Sequence, residues 1–508
     1  MEYTLDNANN YIKSNSKNII KEYRQAFHVM APVGWINDPN GFIQYKDEYH
    51  LFYQYHPYST QHGPMHWGHV KSDDMISWEH LPVALAPDTE FDKDGCFSGS
   101  AIEVNDTLYL MYTGNIQHED FDKNRQIQCI ATSKDGVHFE KIQENPVLTE
   151  QDLPDNAVVQ DFRDPKVFEK NGVYYTVIAS QTKTETGQIV LYESSDMINW
   201  QFKSVLLEGT AEQGVMWECP DLFELDGKDV LILSPIRITK KGNNFHNISS
   251  CVVFIGEVDW ETGEFTVDSM NEIDHGMDFY APQTTSDNMG RRIMIAWMQM
   301  WDRPMITDIE NHGWAGCMTL PRELRIENDR LIQKPIREIG HYETETLTLE
   351  NLTIVNESKE LEDINGEIFA LHLNLDLEFA EKFEISLRKN TVEETTITYC
   401  KKNAELTFDR TRSGFEIIGK EDVPVLSRKV ECQLVDNQLQ LDIYVDKSSI
   451  EVFAQDGKET FTSTIYPLNK AEGISFTSVG TTLINKLEKS AIKQTVEKYG
   501  EKDLGVII

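Results

Sequence analysis

The feature that most constrains this 508-residue chain is an internal repeat. Ser72-x-Asp74-x-x-x-Trp78, Ser133-x-Asp135-x-x-x-Phe139 and Ser194-x-Asp196-x-x-x-Trp200 share one pattern, whose aromatic residue recurs from 78 to 139 and from 139 to 200, 61 residues each time. A second series is interleaved with it: Asn37-Asp38-Pro39, Phe97-Ser98-Gly99-Ser100, Arg163-Asp164-Pro165, Glu218-Cys219-Pro220-Asp221 and Asp278-Phe279-Tyr280-Ala281. Each member reads as a polar turn leading into an apolar strand. Aromatic and branched runs at 49–55, 107–114, 173–180, 229–236 and 292–300 have β character. Turn signals such as Lys134-Asp135-Gly136, Lys170-Asn171-Gly172 and Leu225-Asp226-Gly227 separate them. Five units of about 60 residues, each holding several strands, predict a five-bladed β-propeller around a central channel.

The pattern changes after Pro321-Arg322-Glu323-Leu324. Pro335 to Tyr342 reads as a short amphipathic linker helix, and from about residue 345 short alternating strands return without the repeat, the signature of an antiparallel sandwich. The expected all-β organisation is a helical extension over 1–27, a propeller over 28–334, a linker over 335–344 and a β-sandwich over 345–508. Cutting the sandwich away is expected to expose a large apolar interface.

Lys and Arg total 47 against 84 Asp and Glu, a net charge of −37. A surface this acidic repels phosphate backbones and anionic headgroups, so nucleic-acid and membrane-surface roles are disfavoured. The N-terminal stretch lacks the apolar core and small-residue cleavage site of a secretory signal, and no window approaches the ~20 apolar residues of a membrane span. Seven scattered cysteines with no CxxC pair argue against a disulfide framework or zinc cluster. The expectation is a soluble, reduced, cytoplasmic protein.

The second series should bring its polar residues together at one channel mouth. Three are carboxylates: Asp38, Asp164 and Glu218. Either aspartate alone, preceding proline, reads as a turn initiator. Glu218, between Trp217 and Cys219-Pro220, needs a partner or a raised pKa. In register on one repeat, three acids without balancing lysines favour chemistry, because like charges push one pKa upward and so hold a proton donor beside an ionised carboxylate. Trp35, Trp67, Phe97, Tyr280, Trp297 and Trp301 offer flat apolar faces for a sugar, and Asn37, Gln54, Ser98 and Arg163 offer directional hydrogen bonds. Trp78 and Trp200 belong to the other series and read as core. His66 and His69 form a weak HxxH metal signal and read as structural.

Trp35-Ile36-Asn37-Asp38-Pro39-Asn40-Gly41, Phe97-Ser98-Gly99-Ser100, Phe162-Arg163-Asp164-Pro165 and Trp217-Glu218-Cys219-Pro220-Asp221 together resemble the motif set of glycoside hydrolase family 32, the invertases, sucrose-6-phosphate hydrolases, inulinases and levanases. The resemblance continues through Tyr53-Gln54-Tyr55, His66-Trp67-Gly68-His69, Asp278-Phe279-Tyr280-Ala281, Leu320-Pro321-Arg322-Glu323-Leu324 and 446–453, so it covers nearly all of the chain after residue 27. It implies a propeller followed by a sandwich, with Asp38 as nucleophile, Glu218 as acid/base and Asp164 binding fructose hydroxyls and stabilising the transition state. Asn37, Gln54, Phe97, Ser98, Arg163 and Trp301 match positions around the fructosyl unit. One departure is His62, where the bacterial pattern often has tryptophan, which alters an aromatic wall. Arg163 is expected to keep Asp38 and Asp164 ionised.

The implied activity is retaining hydrolysis, requiring no metal or organic cofactor, that releases terminal β-fructofuranosyl units from sucrose, sucrose 6-phosphate and short fructo-oligosaccharides, with inulin a poor substrate. A fructosyltransferase on the same fold is the nearest rival. A non-catalytic fructan-binding module would be expected to lack Asp38 or Glu218, and a propeller acting on arabinose polymers would not show WINDPNG and WECPD together. A phosphorylated substrate needs a local basic contact, for which Lys123, Arg125, Lys240, Lys241 and Arg303 are the loop candidates.

Overall fold

The computed structural model describes residues 2–421, 423–495 and 498–499, so the end of the expected sandwich, 500–508, lies outside the described residues. Helix Leu5–Asn15 opens the chain, its first turn capped by the Thr4 hydroxyl, which accepts from the Asn7 amide. Ala8 and Ile12 are its buried residues and join the core of the first blade.

Among the described residues five four-stranded antiparallel blades follow. Their innermost strands are Gly34–Tyr45, Cys96–Val104, Ala157–Lys170, Met216–Leu225 and Tyr280–Ser286. The ring is closed by a short strand after the fifth inner strand, Trp314–Ala315, which pairs in parallel with Gly34–Tyr45. The linker is a 3₁₀ turn over Arg337–His341. Beyond it lies a ten-stranded assembly with a large apolar core that includes Phe369, Phe383, Phe408, Phe461 and Phe476.

The Ser-x-Asp repeat is the turn between the third and fourth strands of a blade. In the first blade the Asp74 carboxylate accepts from the amides of Ile76 (3.0 Å) and Ser77 (2.8 Å), and the Ser72 hydroxyl accepts from Met75 (2.8 Å). Asp135 and Asp196 repeat these bonds to residues 137–138 and 198–199. The residue after each Asp takes positive φ: Met75 61°, Gly136 78°, Met197 69°. The turn then inserts its aromatic into the core, and Trp78 and Trp200 are buried as expected. Backbone N–H donors hold Asp196 down at about 2. The period of 61 is therefore a repeated turn chemistry together with repeated packing.

The interface between propeller and sandwich has the expected apolar contacts, such as Tyr444 and Phe453 packed with blade residues, and ionic groups are buried within it as well. Arg322, fully buried, donates to Asp274 (2.9 Å) and Glu451 (2.8 Å) and lies between the rings of Phe279 and Phe453. His28 bridges Asp446 (2.8 Å) and Glu451 (3.0 Å). Burial opposes its charge, but the hydrogen bonds to Asp446 and Glu451 outweigh burial and carry the imidazole up to about 9. His275, between Glu272 and Glu459 at 3.4 Å each, is likewise raised to about 9. Because these pKa values exceed the ordinary 6.5, the stabilisation is whole below pH 6.5 and is lost as pH rises through about 9. Melting temperatures are expected to fall across that window, and to fall less in His28→Gln; a flat profile for the native chain would contradict the coupling.

Candidate active site

The second series does not precede the inner strands; it lies inside them. Register shifts interrupt the ladder between Ile36 and Pro39, Phe97 and Gly99, Glu218 and Asp221, and Tyr280 and Gln283, with a further one opposite Asp164-Pro165. Each is a β-bulge. Pro39, Pro165, Pro220 and Pro282 have no N–H to give the ladder, so the strand cannot stay regular there. Asp164 (φ 65°), Cys219 (49°) and Ala281 (51°) are left-handed, which bends the strand at its bulge. The turn reading of the two Asp-Pro pairs is thus replaced by a bulge reading.

The bulges bring the three acids together. Asp38 is buried and accepts from Ser98 Oγ (2.7 Å) and Asn37 Nδ2 (2.9 Å), while Trp35 Nε1 donates to Asn37 Oδ1 (2.8 Å) and fixes that amide. Asp164 Oδ2 accepts from the Cys219 amide at 3.0 Å. Glu218 is clasped at one oxygen by Arg163, Nε at 3.1 Å and Nη2 at 2.9 Å, and at the other by the Tyr280 hydroxyl at 2.5 Å. The Cys219 thiol is 3.6 Å from Asp38 Oδ2 and 3.5 Å from Asp164 Oδ2, so it contacts both aspartates.

The electrostatics differ from the expectation that Arg163 keeps both aspartates ionised. Arg163 spends its short contacts on Glu218 and Asp161 and stands 4.0 Å from Asp164. Burial raises Asp38, against the opposing donors Ser98 and Asn37. Burial also pushes Asp164 up to about 7, the Arg163 charge lowering it and the Glu218 and Asp38 charges raising it further. A raised carboxyl costs the folded state nothing below the ordinary 3.8 and most above about 7. Asp164→Asn is therefore expected to raise the melting temperature at pH 8 and to leave it nearly unchanged at pH 4, while activity falls; equal shifts at both pH values would contradict this.

Trp35, Phe97 and Trp301 are half-buried at the rim, with Trp35 and Trp301 stacked at 6.1 Å and 28°. His62 is exposed and stands edge-on to Trp301 (5.7 Å), Trp35 (6.2 Å) and Phe97 (6.3 Å), so it completes the aromatic wall that its substitution was expected to alter. Trp67, Trp297, Tyr280 and Gln54, all expected to meet the sugar, are buried. Trp67 is fully buried, donating to the Phe97 carbonyl (3.1 Å) and packing on Phe52 and Tyr112, which makes it core between the first two blades; Trp297 is buried too. Tyr280 is buried as well and reaches the site through its hydroxyl on Glu218 rather than by offering a ring face. Gln54 is buried and gives Nε2 to the Cys96 carbonyl (3.0 Å), tying the first blade to the second.

His66 bonds the Pro64 carbonyl (3.0 Å) and His69 bonds His50 (3.0 Å), both as structural residues. Among the described residues no group of three or more His, Cys, Asp or Glu is arranged to hold a metal ion. Of the basic candidates, Arg303 is buried against Glu421 (2.6 Å), Lys123 and Arg125 pair with Asp120 and Glu150 (3.4 Å each), and Lys240 and Lys241 line a separate cleft of about 1430 Å³ between the fourth blade and the sandwich. Sequence reading missed Asp161 and Gln126, which orient Arg163, and the Cys219 thiol in contact with both aspartates. Cys219 could have been found, since it adjoins Glu218 in the repeat; Gln126 lies in a different blade and carries no local signal.

A five-bladed propeller that gathers carboxyl groups from three blades under a rim of aromatic rings defines a class, the glycoside hydrolases. The chain belongs to glycosyl hydrolases family 32, whose N-terminal domain matches residues 28–335 and whose C-terminal domain matches residues 338–493. It is 39% identical over 446 residues to a sucrose-6-phosphate hydrolase of Escherichia coli, covering 87% of this chain and 89% of that one. Among solved structures it resembles a beta-fructofuranosidase of Bombyx mori in complex with sucrose (TM-score 0.83, 35% identity, 96% of this chain and 98% of the other). It also resembles a sucrose-6-phosphate hydrolase of Lactobacillus gasseri (TM-score 0.85, 29% identity, 97% of each). No helix among the described residues is long and apolar enough to cross a membrane.

Proposed function

We propose that the protein is a retaining β-fructofuranosidase that cleaves sucrose 6-phosphate, sucrose and short fructo-oligosaccharides. The observation that carries the chemistry is the different holding of two carboxyls: Asp38 by Ser98 and Asn37, Glu218 by Arg163 and Tyr280. Two carboxyls in distinct environments can divide the roles of nucleophile and acid. An Asp38 oxygen attacks the anomeric carbon of the terminal fructofuranosyl unit while Glu218 gives its proton to the departing glycosidic oxygen, and the carbon–oxygen bond breaks. Water then loses a proton to Glu218 and attacks the same carbon, releasing fructose and restoring the Asp38 carboxylate. In this reading Asp164 accepts from fructose hydroxyls, and the rings of Trp35, Phe97 and Trp301 with His62 cover the apolar face of the sugar.

The substrate reading is supported by the sucrose-6-phosphate hydrolases among the relatives. The same reading puts the enzyme in the cytoplasm, where its seven unpaired cysteines fit a reducing compartment. A panel of sucrose, sucrose 6-phosphate, 1-kestose, inulin and levan, scored by kcat/KM, tests it. The disaccharides are expected to lead and the polymers to trail. Inulin or levan cleaved faster than sucrose, with no activity on the phosphorylated disaccharide, would overturn the substrate class and leave the fructosidase chemistry standing. Fructose and glucose released in unequal amounts at high sucrose would indicate a transferase.

A further inference from the structure

The sandwich makes backbone contact with the propeller immediately before Tyr280. Its strand Glu459–Thr464 lies against residues 274–278: the His275 amide donates to the Thr460 carbonyl (2.8 Å) and the Asp278 amide to the Thr462 carbonyl (3.1 Å). The approach is so close that a Cβ on Gly276 would stand 2.0 Å from the Thr462 oxygen. Asp278 is fully buried, and its Oδ2 accepts from the Thr464 amide (2.8 Å), the Thr464 hydroxyl (2.8 Å) and Arg410 Nη1. Arg410, on the sandwich strand Glu405–Arg412, is itself buried, and the same nitrogen also donates to the Thr464 carbonyl (3.0 Å). Two residues beyond Asp278 the Tyr280 hydroxyl meets Glu218, and the next residue, Ala281, is left-handed at φ 51°. A non-glycine residue in that conformation persists only where its surroundings over-determine it, and the clamp on Asp278 holds the backbone three residues before it.

We propose that Arg410 is a positioning residue for the acid/base Glu218, acting through Asp278 and the Tyr280 hydroxyl, so that the sandwich sets the geometry of proton transfer in the propeller. The proposal rests on the reading of Glu218 as the acid/base. A clamp of this kind affects the step that needs a proton delivered to the leaving oxygen. It leaves untouched the attack of Asp38, which is held by Ser98 and Asn37 on other strands.

The test compares sucrose, whose glucosyl oxygen needs a proton, with a fructosyl fluoride, whose fluoride departs without one. Arg410→Gln is expected to lower kcat on sucrose about 10- to 100-fold, the scale of a misplaced catalytic group, with KM for sucrose and the first-turnover rate of fluoride release, which reads ester formation alone, both within about twofold. Tyr280→Phe should show the same selectivity, and the double variant should be no worse than the more impaired single one, because both act on one link. Arg410→Lys, which restores the charge, should recover part of the sucrose rate. If Arg410→Gln fails to fold, Thr464→Val removes one donor to Asp278 without removing a charge and is read in the same way. Equal losses on both substrates, or additive effects of Arg410 and Tyr280, would overturn the proposal and leave Arg410 a stabilising residue only. Should Glu218→Gln itself fail to discriminate between the two substrates, the acid/base reading falls, and that outcome is separate from the Arg410 result.

Discussion

Asp38→Asn is expected to reduce turnover of sucrose by more than about 10³-fold, within the upper range of losses for groups engaged in the chemical step. An amide placed where Ser98 and Asn37 now hold a carboxylate keeps the shape of the site but cannot form the fructosyl ester. The loss should be independent of leaving group, because every substrate must pass through the same fructosyl ester on Asp38. Melting temperature should hold or rise, since Asp38 is a buried acid whose ionisation burial opposes. Residual activity above about a hundredth of the native rate, on an enzyme shown free of native contamination, would remove Asp38 from the role.

Glu218→Gln is expected to be nearly as damaging on sucrose, about 10²- to 10⁴-fold, but its signature is different. A fructosyl fluoride should retain much of its rate of ester formation, and a strong external nucleophile such as azide should speed the breakdown of the ester, which in the native enzyme needs Glu218 as base. The glutamine can still accept from Arg163 and meet Tyr280, so the fold around it should persist. A loss identical for sucrose and fluoride would instead assign Glu218 to binding.

The repeat made the propeller legible because two chemical devices recur with it. Asp74, Asp135 and Asp196 tie the same turn, and the Asp-Pro, Cys-Pro and Ala-Pro pairs mark the same place on the inner strands. What the chain did not disclose was what the second device is. A proline after a polar residue looks like a turn in one dimension, and only pairing shows that the strand continues past it as a bulge. The three acids and their donors Ser98 and Asn37 lie on those marks and could be read. Trp67 could not be told from a rim residue, because a residue on an outer strand is equally aromatic in sequence, and only packing of the first blade on the second decides that Trp67 is covered. Arg163 was read as the partner of Asp38 and Asp164, whereas its short bonds go to Glu218 and Asp164 stands 4.0 Å away, since which of three acids a guanidinium reaches depends on distances of about an ångström that no spacing encodes.

The five bulges have a consequence for how such a protein can change. Each blade offers one socket at the channel mouth, built by backbone irregularity, with a proline in every blade but the second, rather than by the side chain that occupies it. The present occupants are an acid in the first, third and fourth blades, the Ser98 hydroxyl in the second and the Tyr280 phenol in the fifth. Exchanging an occupant leaves the ladder beneath it intact, so a new donor, acceptor or charge can be tried at fixed geometry for little structural cost. The outer strands then serve as chassis, and substrate range becomes a matter of five interchangeable seats facing one another across the same opening.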